Sequence, residues 1–541
     1  MAKQPENAAV AIESPDSPDS MFQRGFLADV YNETALGTPE VDKIITRFPP
    51  EPNGFLHLGH SKAILINFGF AKFHGGECNL RFDDTNPAGE EDRYFVAIAE
   101  TVKWLGFEPV KFTYSSDQFD RLYESAEQLI NVDGAYVCHC TKPEIEAQRG
   151  NRKGGARYAC PHRDRPISES LAEFRAMRDG KYSAQAATLR MKQHLESPNP
   201  QMWDLTAYRV LEGVYKPMQR EYGRLNINGT VLSKRKLKQL VDEGYVRGWD
   251  DPRLYTLIAL RRRGVPPAAI LTFVRELGGV SKATTSIEIK RFESVVRKFL
   301  EVTVPRLMLI LDPILVVIDN LPDNHLEMID LAFSKDPGDG SHSVPFTNKV
   351  YIDRRDFREV ASKDFRRLTP GVTVGLLKVA YPIIATSFEK DETTGLVTIV
   401  HASYAKPERD ATFKKPKAYI QWVADCPSEN SPIKVKVNVY NPLFNSINPE
   451  AHPNGFLADI NPESEEIYSD ALIENGLAEI AERAPWPKTK KANESAGNGV
   501  LPESVRFQGM RIGYFCLDSD STKDKMVVNR IVSLKEDPNK G

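Results

Sequence analysis

Two histidines flank a glycine in His57-Leu58-Gly59-His60, where a strand-like apolar run gives way to a helical one. A helix start leaves N–H groups unpaired and carries partial positive charge, which suits nucleotide phosphates. Two imidazoles there add donors, and Gly59 lacks a side chain that would keep a base or ribose away. The preceding loop, Pro50, Glu51, Pro52, Asn53 and Gly54, is stiffened by its prolines. A second motif, Ser233-Lys234-Arg235-Lys236, also precedes a helical run. A lysine on such a loop can neutralise phosphate charge as it builds up in a transition state. Each motif has a plainer reading: a capping histidine pair for the first, a basic surface loop for the second.

Two further groups could carry chemistry. Asp83-Asp84 follows an apolar run and reads as a ligand-binding pair or as the cap of the next helix. Cys138, Cys140, Cys160 and His162 form C-x-C and C-x-H pairs separated by nineteen residues. Three thiolates and one imidazole suit a closed tetrahedral Zn²⁺ site with a structural role. The rival reading is free cytosolic cysteines. No Ser-His-Asp arrangement is evident.

These residues need a scaffold. Lys43–Phe48 reads as a buried strand stopped by prolines, His57–Phe73 as a helix, Cys78–Phe82 as a strand and Glu90–Leu105 as a helix. That alternation predicts a parallel, doubly wound nucleotide-binding sheet of the Rossmann type. Cys, Arg, Gly and Pro cluster between about 138 and 166, marking an inserted domain. Residues 237–300 read as helical. After Pro305 many short strands with Gly, Pro and Asp punctuation predict antiparallel β-barrels. The expected division is a lead-in over 1–40, disordered over its first twenty residues or so, a catalytic domain over 41–128 and 214–237, an insert over 129–213, a helical subdomain over 238–303, and two barrels over 304–541. The tract 484–503 reads as a flexible loop.

The two motifs resemble the HIGH and KMSKS signatures of class I aminoacyl-tRNA synthetases. The wider match resembles the glutaminyl-tRNA synthetases, through RFPPEPNGFLHLGHSKAILINFGFA, CNLRFDDTNP, WLGF, YSSDQFD, VLSKRKL, GWDDPRLYTLIALRRRG, VPFTNKVYIDRRDF, KPKAYIQWV and GYFCLDSD, in order over roughly residues 40–541. The resemblance implies an α/β + β enzyme that forms glutaminyl-adenylate from glutamine and Mg²⁺-ATP, then charges tRNA(Gln). It implies that His57, His60 and Lys234 act on the triphosphate, with Ser233 beside them. Arg47 and Asp83 would hold the amino acid, and the loop Pro50–Gly54 would lie near ATP. The insert would bind the tRNA acceptor end and the barrels would read the anticodon. Related glutamate-specific synthetases carry zinc in the inserted region. Association with other synthetases is a further expectation.

The sequence departs from this family at one place. Met202–Arg209 is followed almost at once by Val214–Asn226, a stretch that in the family lies well past a Tyr-Asp-Phe-Thr-His run and a His-Ser-Leu-Cys run. Several dozen residues of the catalytic domain are absent, with the join near Leu211–Gly213. The sheet would lose at least one strand, and the pocket the Tyr and His that help select glutamine. Two alternatives therefore accompany the ligase reading: an impaired or mis-spliced form that only binds tRNA, and a glutamate-charging relative.

Composition agrees with a globular, cytoplasmic protein. The 541 residues are 41% hydrophobic and 27% charged, with six cysteines and a net charge of −3. No apolar run is long enough to span a membrane. The charge argues against a protein that coats nucleic acid through a broad positive field. RNA contact would come from local patches: Arg261, Arg262 and Arg263, which could instead merely line a helix end, and Lys406, Arg409, Lys414, Lys415 and Lys417. Arg367 and Lys378 are weaker candidates.

Overall fold

The computed structural model describes residues 20–36, 43–85, 90–150, 156–183, 186–197, 203–209, 225–278, 285–362, 365–406, 416–486, 501–522 and 524–534. The join at Leu211–Gly213 and most of the tract 484–503 lie outside them. The chain divides into two compact units. One holds Met1–Leu56, Lys62–Arg224 and Gly278–Thr284; the other holds His57–Ser61, Leu225–Leu277 and Thr285–Gly541.

In the first unit the described residues begin at Ser20, and residues 1–19, read as disordered, lie outside them. Ser20–Gln23 forms a 3-10 turn and Gly25–Leu36 a helix, α1. The reason is two apolar residues among polar ones, Met21 and Phe22, both buried. The Phe22 ring lies 6.5 Å from that of Phe70 and 5.6 Å from that of Phe73. It presses on Gly69, where an added Cβ would lie 2.6 Å from the ring. Tyr31 of α1 stacks on His74 at 4.2 Å.

The strands β1 (Ile45–Phe48), β2 (Glu77–Phe82) and β3 (Phe112–Tyr114) form one parallel sheet in that order. Phe48 pairs with Leu80, and Phe82 with Tyr114. The helix α2 (Leu58–Ile64), continued by a π turn at Leu65–Gly69, connects β1 to β2; α3 (Asp92–Trp104) connects β2 to β3. The expected alternation is present, but among the described residues the sheet has three strands. The insert is an antiparallel sheet of β4 (Ala135–Cys138), β5 (Thr188–Met191) and β6 (Thr206–Arg209). Helices α4 (Phe119–Asn131) and α5 (Ile167–Arg178) bury Ile130 and Phe174 with Val137 and Leu189 of that sheet.

In the second unit β7 (Leu225–Asn228) pairs in parallel with β8 (Thr285–Glu288). The region expected to be wholly helical therefore contains a strand, which the short run Thr-Ser-Ile-Glu did not signal. Around this pair lie α6 (Lys234–Asp242), α7 (Leu257–Arg262), α8 (Pro267–Glu276) and α9 (Ile289–Thr303). Two seven-stranded sheets follow. One buries Trp422 and Phe346, the other Phe507 and Phe515. They are not purely antiparallel as expected. Pro313–Ile318 pairs in parallel with Val397–Tyr404, and Ile433–Tyr440 with Met526–Ser533. Long connections join these pairs, so the chain can return in the same direction, which a short hairpin forbids.

Phe22→Ala should destabilise the first unit by about 3–5 kcal/mol, the usual cost of emptying a buried aromatic site. Denaturant unfolding, with proteolysis of residues 43–85 as a local readout, checks this.

Candidate active site

The second unit brings His57, His60 and Lys234 together. The His57 backbone N–H donates to His60 Nδ1 at 3.0 Å, and the Gly59 N–H donates to His57 Nδ1 at 3.1 Å. With both Nδ1 atoms acting as acceptors, the ring protons are assigned to Nε2. The two rings lie 3.9 Å apart. Burial, then the neighbouring His60 and Lys234, holds His57 well below its ordinary range; burial and Lys234 lower His60 to about 4. Both rings are therefore neutral near pH 7, each with one N–H to donate.

Gly59 has a reason within the protein as well as the one expected. A Cβ there would lie 2.8 Å from His57 Cε1 and 3.1 Å from the Leu225 carbonyl oxygen. The glycine lets the histidine ring and β7 close on the backbone, a role internal to the protein. The turn is anchored where the Leu58 N–H donates to the Tyr255 carbonyl at 2.9 Å and His57 bridges Thr256. Ser233 precedes Lys234 at the start of α6, so the lysine leaves from a helix N-terminus and not from a long loop. Leu237 and Leu240 bury that helix's inner face, while Lys236 pairs with Glu450 at 2.8 Å.

The first unit holds a separate constellation at the carboxyl ends of its parallel strands, where such sheets bind ligands. Arg47 lies on β1; Arg81 and Asp83 lie at the end of β2. Burial and the neighbouring Arg81 lower the Arg47 pKa, and Asp83 opposes them. Ser115, buried just past β3, accepts from Arg81 Nη2 at 3.1 Å and donates to Asp83 Oδ1 at 3.4 Å. Asp84 accepts from the Ser116 backbone and hydroxyl. The aspartates are thus held by the serines after β3 and do not cap a helix of their own. Arg81, Ser115 and Ser116 join this cluster and were not among the candidates read from the sequence; the pair of serines directly after a strand was the available signal. In the entry loop, Pro50 accepts from the Asp83 N–H at 3.0 Å and Asn53 donates to Glu51 at 2.7 Å. Pro52 and Gly54 are buried.

The four metal-ligand candidates also converge. Cys138 and Cys160 sulfurs are 3.5 Å apart, Cys140 and Cys160 sulfurs 3.6 Å, and His162 Nδ1 lies 3.5 Å from Cys160 and 3.6 Å from Cys140. Tetrahedral zinc with Zn–S bonds near 2.3 Å requires S···S edges of about 3.7 Å. Backbone N–H groups of Cys140 and His162 point at Cys138 and Cys160 sulfurs, both at 3.4 Å, and Gln148 donates to Cys140 at 3.3 Å. The hydrogen bond from Cys160 draws the Cys138 thiol down, and the same bond pushes Cys160 up. His139 stands apart, bonded to the Ala186 carbonyl.

The arginine triplet expected to touch RNA or line a helix end is engaged within the fold. Arg261 pairs with Glu503 at 2.8 Å; Arg262 pairs with Asp250 at 2.8 Å, Asp518 at 3.0 Å and also Asp520. Arg263 is buried and donates to the Ile531 carbonyl at 2.8 Å. Sequence alone could not show Glu503, Asp518 and Asp520 as partners, since they lie more than two hundred residues away, although Asp250 is only twelve residues off. Lys406 and Lys417 are exposed. Arg409, Lys414 and Lys415 lie outside the described residues. Arg367 pairs with buried Asp356 at 2.9 Å, and Lys378 adopts a left-handed φ of 65°.

Comparison with known proteins bears on this geometry. Residues 43–215 and 210–302 match the description "tRNA synthetases class I (E and Q), catalytic domain", in two parts that meet at the join. Residues 304–405 and 419–485 match the two descriptions of the anticodon-binding domain in the same group. The chain is 49% identical to a glutamine–tRNA ligase of Saccharomyces cerevisiae, over 96% of the chain and 73% of that protein. It is 50% identical to a probable glutamine–tRNA ligase of Schizosaccharomyces pombe, over 96% and 71%. A glutamine–tRNA ligase of Hypocrea virens is 47% identical over 98% of the chain and 90% of its own length. The alignment with the S. cerevisiae protein runs over 591 residues, more than the 541 of the chain, so it opens gaps here.

Because folding holds His60 neutral, the unfolded state binds more protons between about pH 4 and 6.5. Stability should therefore be full above about pH 6.5 and fall as the pH drops towards 4, with His57 adding in the same sense. His60→Asn should flatten that slope in a series of denaturant unfolding curves taken across the window.

Proposed function

The chain belongs to the class I tRNA synthetases of the glutamate and glutamine group, and we propose that it is a glutamine–tRNA ligase. Glutamine attacks the α-phosphorus of ATP through its carboxylate, pyrophosphate leaves, and the glutaminyl group passes to the terminal ribose of tRNA(Gln). The observation that carries this reading is the identity with glutamine–tRNA ligases along nearly the whole chain, with the histidine pair and Lys234 brought together.

The chemistry needs positioning and charge stabilisation and no protein nucleophile. His57 and His60, neutral and protonated at Nε2, donate to triphosphate oxygens without adding charge in the ground state. Lys234 supplies the cation as charge develops on the leaving pyrophosphate. Mg²⁺ travels with ATP as part of the substrate and screens its oxygens. Arg47 and Asp83 hold the amino acid, Asp83 through the α-amine, with Arg81 and Ser115 fixing its carboxylate. The two C-terminal sheets receive the anticodon arm, with Lys406 and Lys417 among the exposed cations. No helix of the described residues is long and apolar enough to cross a membrane, and the site of action is the cytoplasm.

Cys138, Cys140, Cys160 and His162 bind one structural zinc ion, which ties the start of the insert to its Cys160 turn. Metal analysis should find about one zinc per chain. Chelation, or Cys160→Ser, should lower the melting temperature of the first unit by several degrees and leave the second unit's transition in place.

The break in the catalytic-domain match at 210–215 favours a second reading, in which this form of the ligase binds tRNA but charges it poorly. Aminoacylation assays with tRNA(Gln), Mg²⁺-ATP and either glutamine or glutamate separate the readings. Attachment of glutamine alone is the expected result for the ligase. Attachment of glutamate would move the chain to the other branch. Binding of tRNA with no charging would establish the impaired form.

A further inference from the structure

Arg190 lies on β5 and is only 2% exposed. A guanidinium cannot shed its proton inside a protein, so burial leaves a full charge in need of an anion. Its neighbours supply polar partners and no carboxylate. Nε donates to the Asp204 carbonyl at 3.1 Å, and Nη1 to the Gln148 side-chain oxygen at 2.9 Å. The Tyr136 ring, 5.7 Å away, offers a π face. The Asp204 carboxylate turns elsewhere, to Arg163 and to the Tyr136 hydroxyl, each at 2.9 Å. Among the described residues, Arg190 forms no ion pair with a carboxylate.

The group it does meet is the cysteine cluster. Nη1 points at the Cys138 sulfur from 3.9 Å. Gln148, itself buried, carries the contact further: its oxygen accepts from Arg190, and its amide donates to the Cys140 sulfur at 3.3 Å. Two short pieces of chain arrange this. β5 sets Arg190 opposite Tyr136, two residues before Cys138 on β4. The helix Lys142–Gln148 starts at its Thr141 cap, directly after Cys140, and brings Gln148 back onto that cysteine. Zinc holds cysteines as thiolates. Three thiolates and a neutral imidazole around a divalent ion leave one net negative charge, which one guanidinium cancels. Either charge alone would be costly to bury.

We infer that Arg190 is the counter-ion of the zinc-loaded cluster, holding Cys138 directly and Cys140 through Gln148. It is a positioning residue for the metal ligands. Outer partners of this kind orient the ligands and strengthen a site's hold on its metal. The inference rests on the zinc reading of Cys138, Cys140, Cys160 and His162.

The full chain, loaded with zinc or with cobalt(II) as a coloured stand-in, tests it. Arg190→Met should weaken zinc retention against a competing chelator by about 10–100-fold. It should also move the sulfur-to-cobalt charge-transfer band to longer wavelength, because a thiolate without its cation gives up an electron more easily. Arg190→Lys, which keeps the charge, should restore most of both. Gln148→Glu leaves the strand intact, gives the guanidinium a carboxylate and takes the donor from Cys140. It should shift the band in the same direction, so the inference is tested even if Arg190→Met fails to fold. A band unmoved from the parent's in Gln148→Glu, or in a folded Arg190→Met, would overturn the inference and leave the zinc reading standing. A parent chain that binds neither metal would overturn the zinc reading, and the inference with it.

Discussion

Three arginines at the end of α7 carry the arrangement of the second unit. Arg261, Arg262 and Arg263 bind Glu503, Asp518 and the Ile531 carbonyl, all on or beside strands of the last sheet. Breaking a buried pair of this kind leaves an uncompensated charge and costs on the order of 3–5 kcal/mol. The same helix starts at Thr256, whose hydroxyl accepts from the Ala259 N–H. Its neighbour Tyr255 offers the carbonyl that receives the Leu58 N–H. A line of hydrogen bonds thus runs from the C-terminal sheet through one short helix to the histidine pair. Placement of His57 and His60 depends on residues far from them along the chain.

The histidines themselves are tuned by backbone and burial. With Nδ1 of each ring occupied by an amide, only one tautomer satisfies the turn. Burial and Lys234 then keep the rings uncharged. On the proposed reading, a neutral donor pair beside a lysine separates two tasks: orientation of phosphate by hydrogen bonds, and neutralisation of growing charge by the Lys234 cation. Gly59 serves this by letting the His57 ring fold onto its own backbone. The first unit solves its own problem in a parallel way. Ser115 couples Arg81 to Asp83, so a carboxylate that could turn towards solvent is fixed by a hydroxyl that both accepts and donates.

Local patterns were read well from the chain where one segment contains the whole cause. Prolines after Phe48 end β1, alternating apolar spacing marks β2 and α3, and the C-x-C and C-x-H pairs pointed to a cluster whose atoms do converge. Readings went astray where the cause lay elsewhere in the chain. Phe22 packs against Phe70 and Phe73, about fifty residues on, contacts that its neighbours in sequence do not announce. The strand Thr285–Glu288 exists because β7 is there to pair with it. Arg261, Arg262 and Arg263, read as RNA contacts or as the lining of a helix end, turn out to be engaged by acidic and carbonyl partners.

By itself, then, the sequence marked the alternating strands and helices of the first unit, the spacing of the histidine, lysine and cysteine motifs, and the join near Leu211–Gly213, because each of these is written in contiguous residue types and spacings. Only the tertiary structure decided which arginine charges are spent inside the fold, how closely the Leu225 carbonyl approaches Gly59, and that β7 pairs with β8. Those properties belong to pairs of residues distant along the chain, and pairing energies do not exist until folding brings the partners within a few ångströms of each other.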